Sequence, residues 1–175
     1  EIIGKYLQDQ PGDSLDKLMK SLRMVKEKEE IDAIKMACGI TANAFFRMLG
    51  HLEPGIREYG LEAELTAGMI AAGATGHAFE PIIASGNNAL VLHYVKNDAR
   101  LRDGDLVLLD FGAEVNCYAS DCSRTLPVNG RFSPRQKKLY RAVLRVFRQA
   151  RSMMVPGTKM SDFHKQVGKA WEEEH

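Results

Sequence analysis

The chain has 175 residues, 45% hydrophobic and 27% charged, with a formal net charge of +1. That composition excludes a disordered chain, and the length can bury a real core. No apolar run approaches the roughly 18–20 residues of a membrane span, and three cysteines (Cys38, Cys117, Cys122) without a Cys-x-x-Cys pair exclude a disulfide framework or zinc knuckle.

Residues 1–19 are predicted to be a linker or the end of a preceding domain. The chain opens on Glu1-Ile2-Ile3-Gly4-Lys5, without Met and without the pattern of a secretory leader, and Gln10-Pro11-Gly12-Asp13 reads as a turn. A cytoplasmic, reducing setting is expected. A long helix follows, with Ile31, Ile34, Cys38, Thr41, Phe45, Met48 and Leu52 at alternating steps of three and four, and Pro54-Gly55 stops it. Leu61, Leu65, Met69 and Ile70 mark a second helix, closed by the Gly73–Gly76 stretch.

The period then changes. Residues 81–86 and 89–95 are short apolar runs bounded by turn residues, which predicts two strands. Asp103-Gly104-Asp105 is a turn. Leu106-Val107-Leu108-Leu109-Asp110-Phe111 reads as a strand buried on both faces, with a partner strand over 117–125. Ser133 caps the next helix with Pro134 at its first position. Its predicted apolar stripe is Leu139, Val143, Val146, Phe147 and Ala150, opposite a basic stripe of Lys137, Arg141, Arg145 and Arg148. A last helix begins near Ser161-Asp162.

Charge is distributed unevenly. Residues 51–127 carry a net −6 and residues 128–175 a net +7. A nucleic-acid surface or two mutually neutralising faces would both produce this split. The basic residues lie on an ordinary amphipathic helix, so the second is expected, with neither a nucleic-acid nor a membrane partner. Helix–Pro-Gly–helix occurs at Pro54-Gly55 and again 102 residues later at Pro156-Gly157. This suggests an internal duplication whose second copy is unfinished.

Asp110 and Asp121 are the sharpest chemical feature. A carboxylate ending an apolar strand is costly unless paired. With Val115-Asn116 as a two-residue hairpin loop, Asp110 would face Asp121 across the ladder. Two such carboxylates repel unless one is protonated or a cation lies between them, and oxygen donors suit hard or borderline divalent ions. The alternative is a strand-end Asp110 bonded to loop backbone and an exposed Asp121. His93, inside 90–95, is either a satisfied core histidine or a site residue contacting a substrate carbonyl. His51, His77 and His164 carry no predicted role. Cys122 is expected on the face opposite Asp121. The Gly73–Gly76 stretch lacks the Gly-Lys-Ser/Thr ending of a phosphate loop.

Val91-Leu92-His93-Tyr94, then Leu108-Leu109-Asp110-Phe111-Gly112, then Tyr118-Ala119-Ser120-Asp121-Cys122-Ser123-Arg124-Thr125 resemble the proline-specific pita-bread metallopeptidases, first the aminopeptidase P (X-Pro aminopeptidase) family and next the X-Pro dipeptidases. The resemblance covers roughly residues 20–165. It implies an α+β fold: residues 20–175 would be the first half of a pita-bread domain, with long helices packed on a curved antiparallel sheet. It implies two divalent metal ions, manganese first, zinc or cobalt as alternatives, bound by two Asp, one His and two Glu. Asp110 and Asp121 match the Asp pair, and His93 matches the substrate-contacting histidine. The remaining His and two Glu are expected in the absent second half, because His164 and Glu172–Glu174 lie in helical contexts. The implied parent is a homo-oligomeric exopeptidase that cleaves peptides with proline at the second position, using metal-activated water, while this piece alone would be inactive. A metal-free creatinase-like hydrolase and a non-catalytic pita-bread binding module are the competing readings. The Asp pair counts against the first, and only the basic helix favours the second.

Overall fold

The computed structural model describes residues 13–174. These form α1 (Asp13–Met24), α2 (Lys28–Leu49), α3 (Glu58–Ala71), β1 (Gly76–His77), β2 (Ile82–Ser85), β3 (Leu106–Phe111), β4 (Ala113–Val115), β5 (Tyr118–Ala119), β6 (Cys122–Pro127), α4 (Pro134–Met153) and α5 (Met160–Glu173). Helix α1 starts before residue 20, so the predicted linker is partly helical. The rest of that segment, including Pro11-Gly12, lies outside the described residues. The structure is α+β, with helices packed on antiparallel strands.

Helices α2 and α3 pack side by side and cover one face of the strands. Helix α2 is entered through Glu27, whose backbone N–H donates to the Glu30 carboxylate at 2.6 Å. Its buried residues are Ala37, Ile40, Thr41, Ala44 and Met48, while Ile31 and Cys38 of the predicted stripe are exposed. At Ala44 the two helices approach closely: a Cβ on Gly68 of α3 would come within 3.1 Å of it. From α3, Leu61, Leu65 and Met69 join the core, and Ile70 remains exposed.

The strands form two small sheets, β2-β3-β6 and β1-β4-β5. Both are antiparallel and run into each other through the β3–β6 hairpin. Burial along β3 alternates. Val107, Leu109 and Phe111 are fully buried against the helices, and Leu106, Leu108 and Asp110 are half-buried on the other face. The expected two-sided burial is therefore corrected, because helices cover only one face of β3 among the described residues. Phe111 stacks on Phe45 of α2, with centroids 5.8 Å apart.

The predicted strand over 89–95 is not a strand. Residues Gly86–Leu90 form a 3₁₀ turn, and the chain then loops until β3. Two left-handed residues, His93 (φ 54°) and Asn97 (φ 46°), break any extended run. The predicted partner strand over 117–125 divides into β5 and β6.

Ser133 caps α4 as expected: its hydroxyl accepts from Gln136 N–H, and the Gln136 side chain accepts from Ser133 N–H at 2.8 Å. The predicted apolar stripe of α4 is mostly uncovered, with Leu139, Val143 and Phe147 exposed and Val146 alone buried. Helix α4 packs chiefly on α5, joined by an Arg145–Glu174 ion pair.

Candidate functional site

The hairpin carrying both aspartates turns at Asn116-Cys117. Both residues have positive φ (51° and 66°), as a two-residue loop of the favoured hand requires. Asparagine tolerates this conformation, whereas the β-branched Val115 at the assumed first loop position does not. Moving the turn by one residue shifts the register by two. Val115 pairs with Tyr118, Glu114 with Ala119, Phe111 with Cys122 and Asp110 with Ser123. The expected Asp110–Asp121 facing pair is thus corrected.

A shift of two keeps side-chain parity. With the same register on both sides of the junction, Asp121 lies across from Gly112, one diagonal step from Asp110. Alternation puts both aspartates on the face away from the helices: Asp110 is half-buried, Asp121 exposed, while Phe111, Ala113 and Ser120 are buried behind them. Diagonal neighbours on one face are separated by roughly 7–8 Å between backbones, within reach of inclined side chains. Ser123, directly opposite Asp110, donates its hydroxyl to Asp110 Oδ1 at 2.9 Å.

The junction between the sheets is held from behind. Thr41 Oγ1 of α2 and Ser120 Oγ are 2.6 Å apart, and the Ala113 N–H donates to both at 2.9 Å. Gly112 is required here, because a Cβ would lie 1.8 Å from the Ser120 carbonyl oxygen. Tyr118 donates to Glu30 at 2.6 Å, anchoring the hairpin to the start of α2. That bond, then the Glu27 N–H, holds the Glu30 carboxyl below its ordinary range.

His93 is exposed and lies in the loop, not on a strand. An open hollow of about 330 Å³ is lined by Ile82, Ala84, Ala89–His93, Leu108 and Asp110, so the structure brings His93 and Asp110 to one concavity. Tyr94 turns the other way, to α3. Cys122 lies on the core side of the hairpin, as expected from its alternation with Asp121. Burial pushes its thiol pKa up, opposed by Arg124 and reinforced by the charges of Asp121 and Asp110. His51 and His164 lie outside the hollow.

Glu58 is the residue that sequence reading missed. It is fully buried at the first turn of α3 and accepts five hydrogen bonds. Its Oε1 receives Ser85 N–H and Ser85 hydroxyl at 2.7 Å each, and Asn88 Nδ2 at 3.1 Å. Its Oε2 receives Tyr94 hydroxyl at 2.7 Å and Ala99 N–H at 2.9 Å. Burial alone would raise its pKa; the donors outweigh burial and hold it below the ordinary value. The Tyr94 phenol is pushed up to about 12 by burial and by this carboxylate. In the sequence, an acidic residue after Pro54-Gly55 looks only like an ordinary complement to a helix N-terminus.

The two aspartates offer hard oxygen donors of the kind a divalent ion prefers. Among the described residues no group of three or more His, Cys, Asp or Glu comes together that could hold one. The donor chemistry fits a metal, and the donor number amounts to part of a coordination shell.

Residues 32–175 match metallopeptidase family M24. Xaa-Pro aminopeptidase 3 of Mus musculus is 40% identical over 86% of this chain and 30% of its own length. Xaa-Pro aminopeptidase of Escherichia coli is 38% identical over 82% of this chain and 32% of its own. Among solved structures, Pseudomonas aeruginosa aminopeptidase PepP superposes with a TM-score of 0.88 at 40% identity, covering 91% of this chain and 36% of that one. An Escherichia coli aminopeptidase P in complex with substrate gives 0.84 at 37% identity, over 87% and 35%. The chain therefore spans about a third of the length of these relatives.

Proposed function

The chain belongs to metallopeptidase family M24, and on that premise we propose that residues 20–175 are the first half of the catalytic domain of an aminopeptidase releasing the residue before a proline. The observation that supports this reading is that His93 and Asp110 line one hollow, on the hairpin face to which strand alternation also assigns Asp121. The relatives' names supply the substrate class, peptides with proline at the second position.

In this reading Asp110 and Asp121 hold two divalent ions, manganese first and zinc or cobalt next, together with one His and two Glu contributed by a second half. When bound, such a pair lowers the pKa of water and polarises the scissile carbonyl. Ser123 orients the Asp110 carboxylate by its hydrogen bond, leaving the other oxygen of that group for a cation. His93 faces the peptide and donates a hydrogen bond to its reacting carbonyl. The half-buried apolar floor of the hollow (Ile82, Leu108) excludes water from one side of the substrate. The parent acts as a homo-oligomer in a reducing, cytoplasmic setting, which suits exposed free thiols at Cys38 and Cys117. The 175-residue chain by itself is inactive, because two carboxylates bind a divalent ion weakly.

The test measures Xaa-Pro peptide cleavage and metal content together in the full-length protein. Asp110→Ala and Asp121→Ala are expected to lose both. His93→Ala is expected to lower kcat by roughly 10²–10³, the scale of one lost oxyanion donor, with metal content intact. Metal loss in the His93 variant, or vigorous cleavage by the isolated chain, refutes the assignment.

A further inference from the structure

The segment from Ser85 to Ala99 carries His93 but has little regular structure of its own: one 3₁₀ turn, then loop. Its own apolar side chains do not hold it, since Leu90, Val91, Leu92 and Val95 are all exposed. What closes it is one carboxylate. Glu58 accepts from Ser85 at the start of the segment, from Asn88 in the 3₁₀ turn, from Tyr94 next to His93, and from Ala99 at the end. Asn88 Nδ2 also donates to the Tyr94 hydroxyl at 3.0 Å, so the contacts form one connected network. Other anchors sit toward the ends: Asn97 donates to Pro81 O and accepts from Ile83 N–H, and Arg57 donates to Asp98 O. None of these reaches the neighbourhood of His93 as Tyr94 does.

His93 holds a left-handed backbone conformation (φ 54°), which a non-glycine residue keeps only where its surroundings impose it. Its immediate neighbour Tyr94 is drawn inward to Glu58, and the backbone turn between them sends His93 outward to the hollow that Asp110 lines. We infer that Glu58 is a positioning residue for the reaction: through Tyr94, Ser85, Asn88 and Ala99 it fixes the loop that presents the His93 ring beside Asp110. The inference rests on the role proposed above for His93. It assigns Glu58 no contact with substrate or metal.

The reason a carboxylate is required is chemical. All five groups around Glu58 donate, and a carboxylate is acceptor-only with about four lone-pair sites. Glu58→Gln keeps the shape but places an NH₂ where two donors point, so one side of the network must open. Bonds to a charged acceptor are roughly twice as strong as neutral ones, so the loss is large for an isosteric change.

The test uses the full-length protein with four forms: wild type, Glu58→Gln, His93→Ala and the double variant. Amide hydrogen exchange over residues 86–99 is read beside kcat and KM for an Xaa-Pro peptide. Glu58→Gln is expected to speed exchange in that segment by about tenfold or more, with α2 and β3 unchanged. It is expected to lower kcat by roughly 10–10², the scale of a misplaced catalytic group, with little change in KM. On the His93→Ala background the same substitution should cost almost nothing further in kcat. Equal kcat losses in the two backgrounds refute positioning through His93 and leave Glu58 a stability residue. Unchanged exchange over 86–99 refutes the inference while leaving the His93 role standing. If His93→Ala retains full kcat, the underlying role fails first and the inference with it. Should Glu58→Gln not fold, Tyr94→Phe removes one donor from the same carboxylate and is expected to give the same pattern at smaller amplitude. Tyr94→Phe that leaves both exchange and kcat at wild-type values refutes the inference.

Discussion

Gly112→Ala tests how tightly the hairpin junction sets the position of Asp121. A Cβ built on Gly112 lies 1.8 Å from the Ser120 carbonyl oxygen and 2.7 Å from its carbonyl carbon, with the Phe79 ring at 3.2 Å. Relief to the 3.0 Å that real Cβ atoms respect needs the two chains to part by ~1.2 Å. Both obstructing atoms are backbone, so no rotamer change relieves the clash. The backbone cannot drift freely either, because Ser120 Oγ is tied to Thr41 and Ala113 in the buried cluster behind the junction. The cost is therefore placed at the upper end of the overpacking range, about 3 kcal/mol. Asp121 follows Ser120 directly, so the same displacement should cost on the order of 10²-fold in turnover if Asp121 serves the chemistry. Urea unfolding of the full-length protein, with peptide cleavage assayed in parallel, measures both quantities. Gly39→Ala is the control: it lies in α2 with no atom within 4 Å of its Cβ, and should stabilise by about 0.5–1 kcal/mol. A Gly112→Ala protein within ~1 kcal/mol of wild type would falsify the tight-junction reading.

Phe111→Ala removes a fully buried ring stacked on Phe45 and should cost about 3–5 kcal/mol by denaturant unfolding; a cost under ~2 kcal/mol indicates that the core collapses around the site. Cys117→Gly relieves a left-handed non-glycine residue at the hairpin tip and should raise stability by about 0.5–1 kcal/mol, read as a shift of the urea midpoint, whereas destabilisation contradicts the turn assignment. His77 supplies a pH prediction. Thr66 donates its hydroxyl to Glu62 O, so its oxygen accepts from His77 Nε2–H at 2.7 Å, and Nδ1 is buried with no partner among the described residues. Burial holds the imidazole pKa below its ordinary 6.5, against the opposite pull of Glu62. The unfolded chain thus takes up the proton first. The contribution of His77 is fully present above pH 6.5 and is lost as pH falls toward the folded-state value. Melting temperatures of wild type and His77→Gln should converge over that acid interval, and parallel pH profiles count against the account.

The sequence alone determined the elements whose information is local. Ser133-Pro134 starts α4 because a hydroxyl cap and a proline act within one turn. Pro54-Gly55 separates α2 from α3, and the apolar run 106–111 became the central strand. The residue types Asp110, Asp121 and His93, in their sequence contexts, were enough to indicate the family. Tertiary structure decided what depends on partners. The register turned on one choice of loop residue, and its parity saved the shared face of the aspartates while its exact pairing changed. The run 89–95 has strand-like composition yet forms a loop: His93 takes a left-handed backbone turn, and Glu58, some thirty residues away, draws in the Tyr94 hydroxyl and the preceding Asn88 side chain. Which residues of α2 are buried depends on its neighbours: Ala44 is buried where Gly68 of α3 comes close, while Ile31 stays exposed. Glu58 itself was invisible, because a carboxylate at a helix start reads as solvent-facing until the fold brings five donors around it.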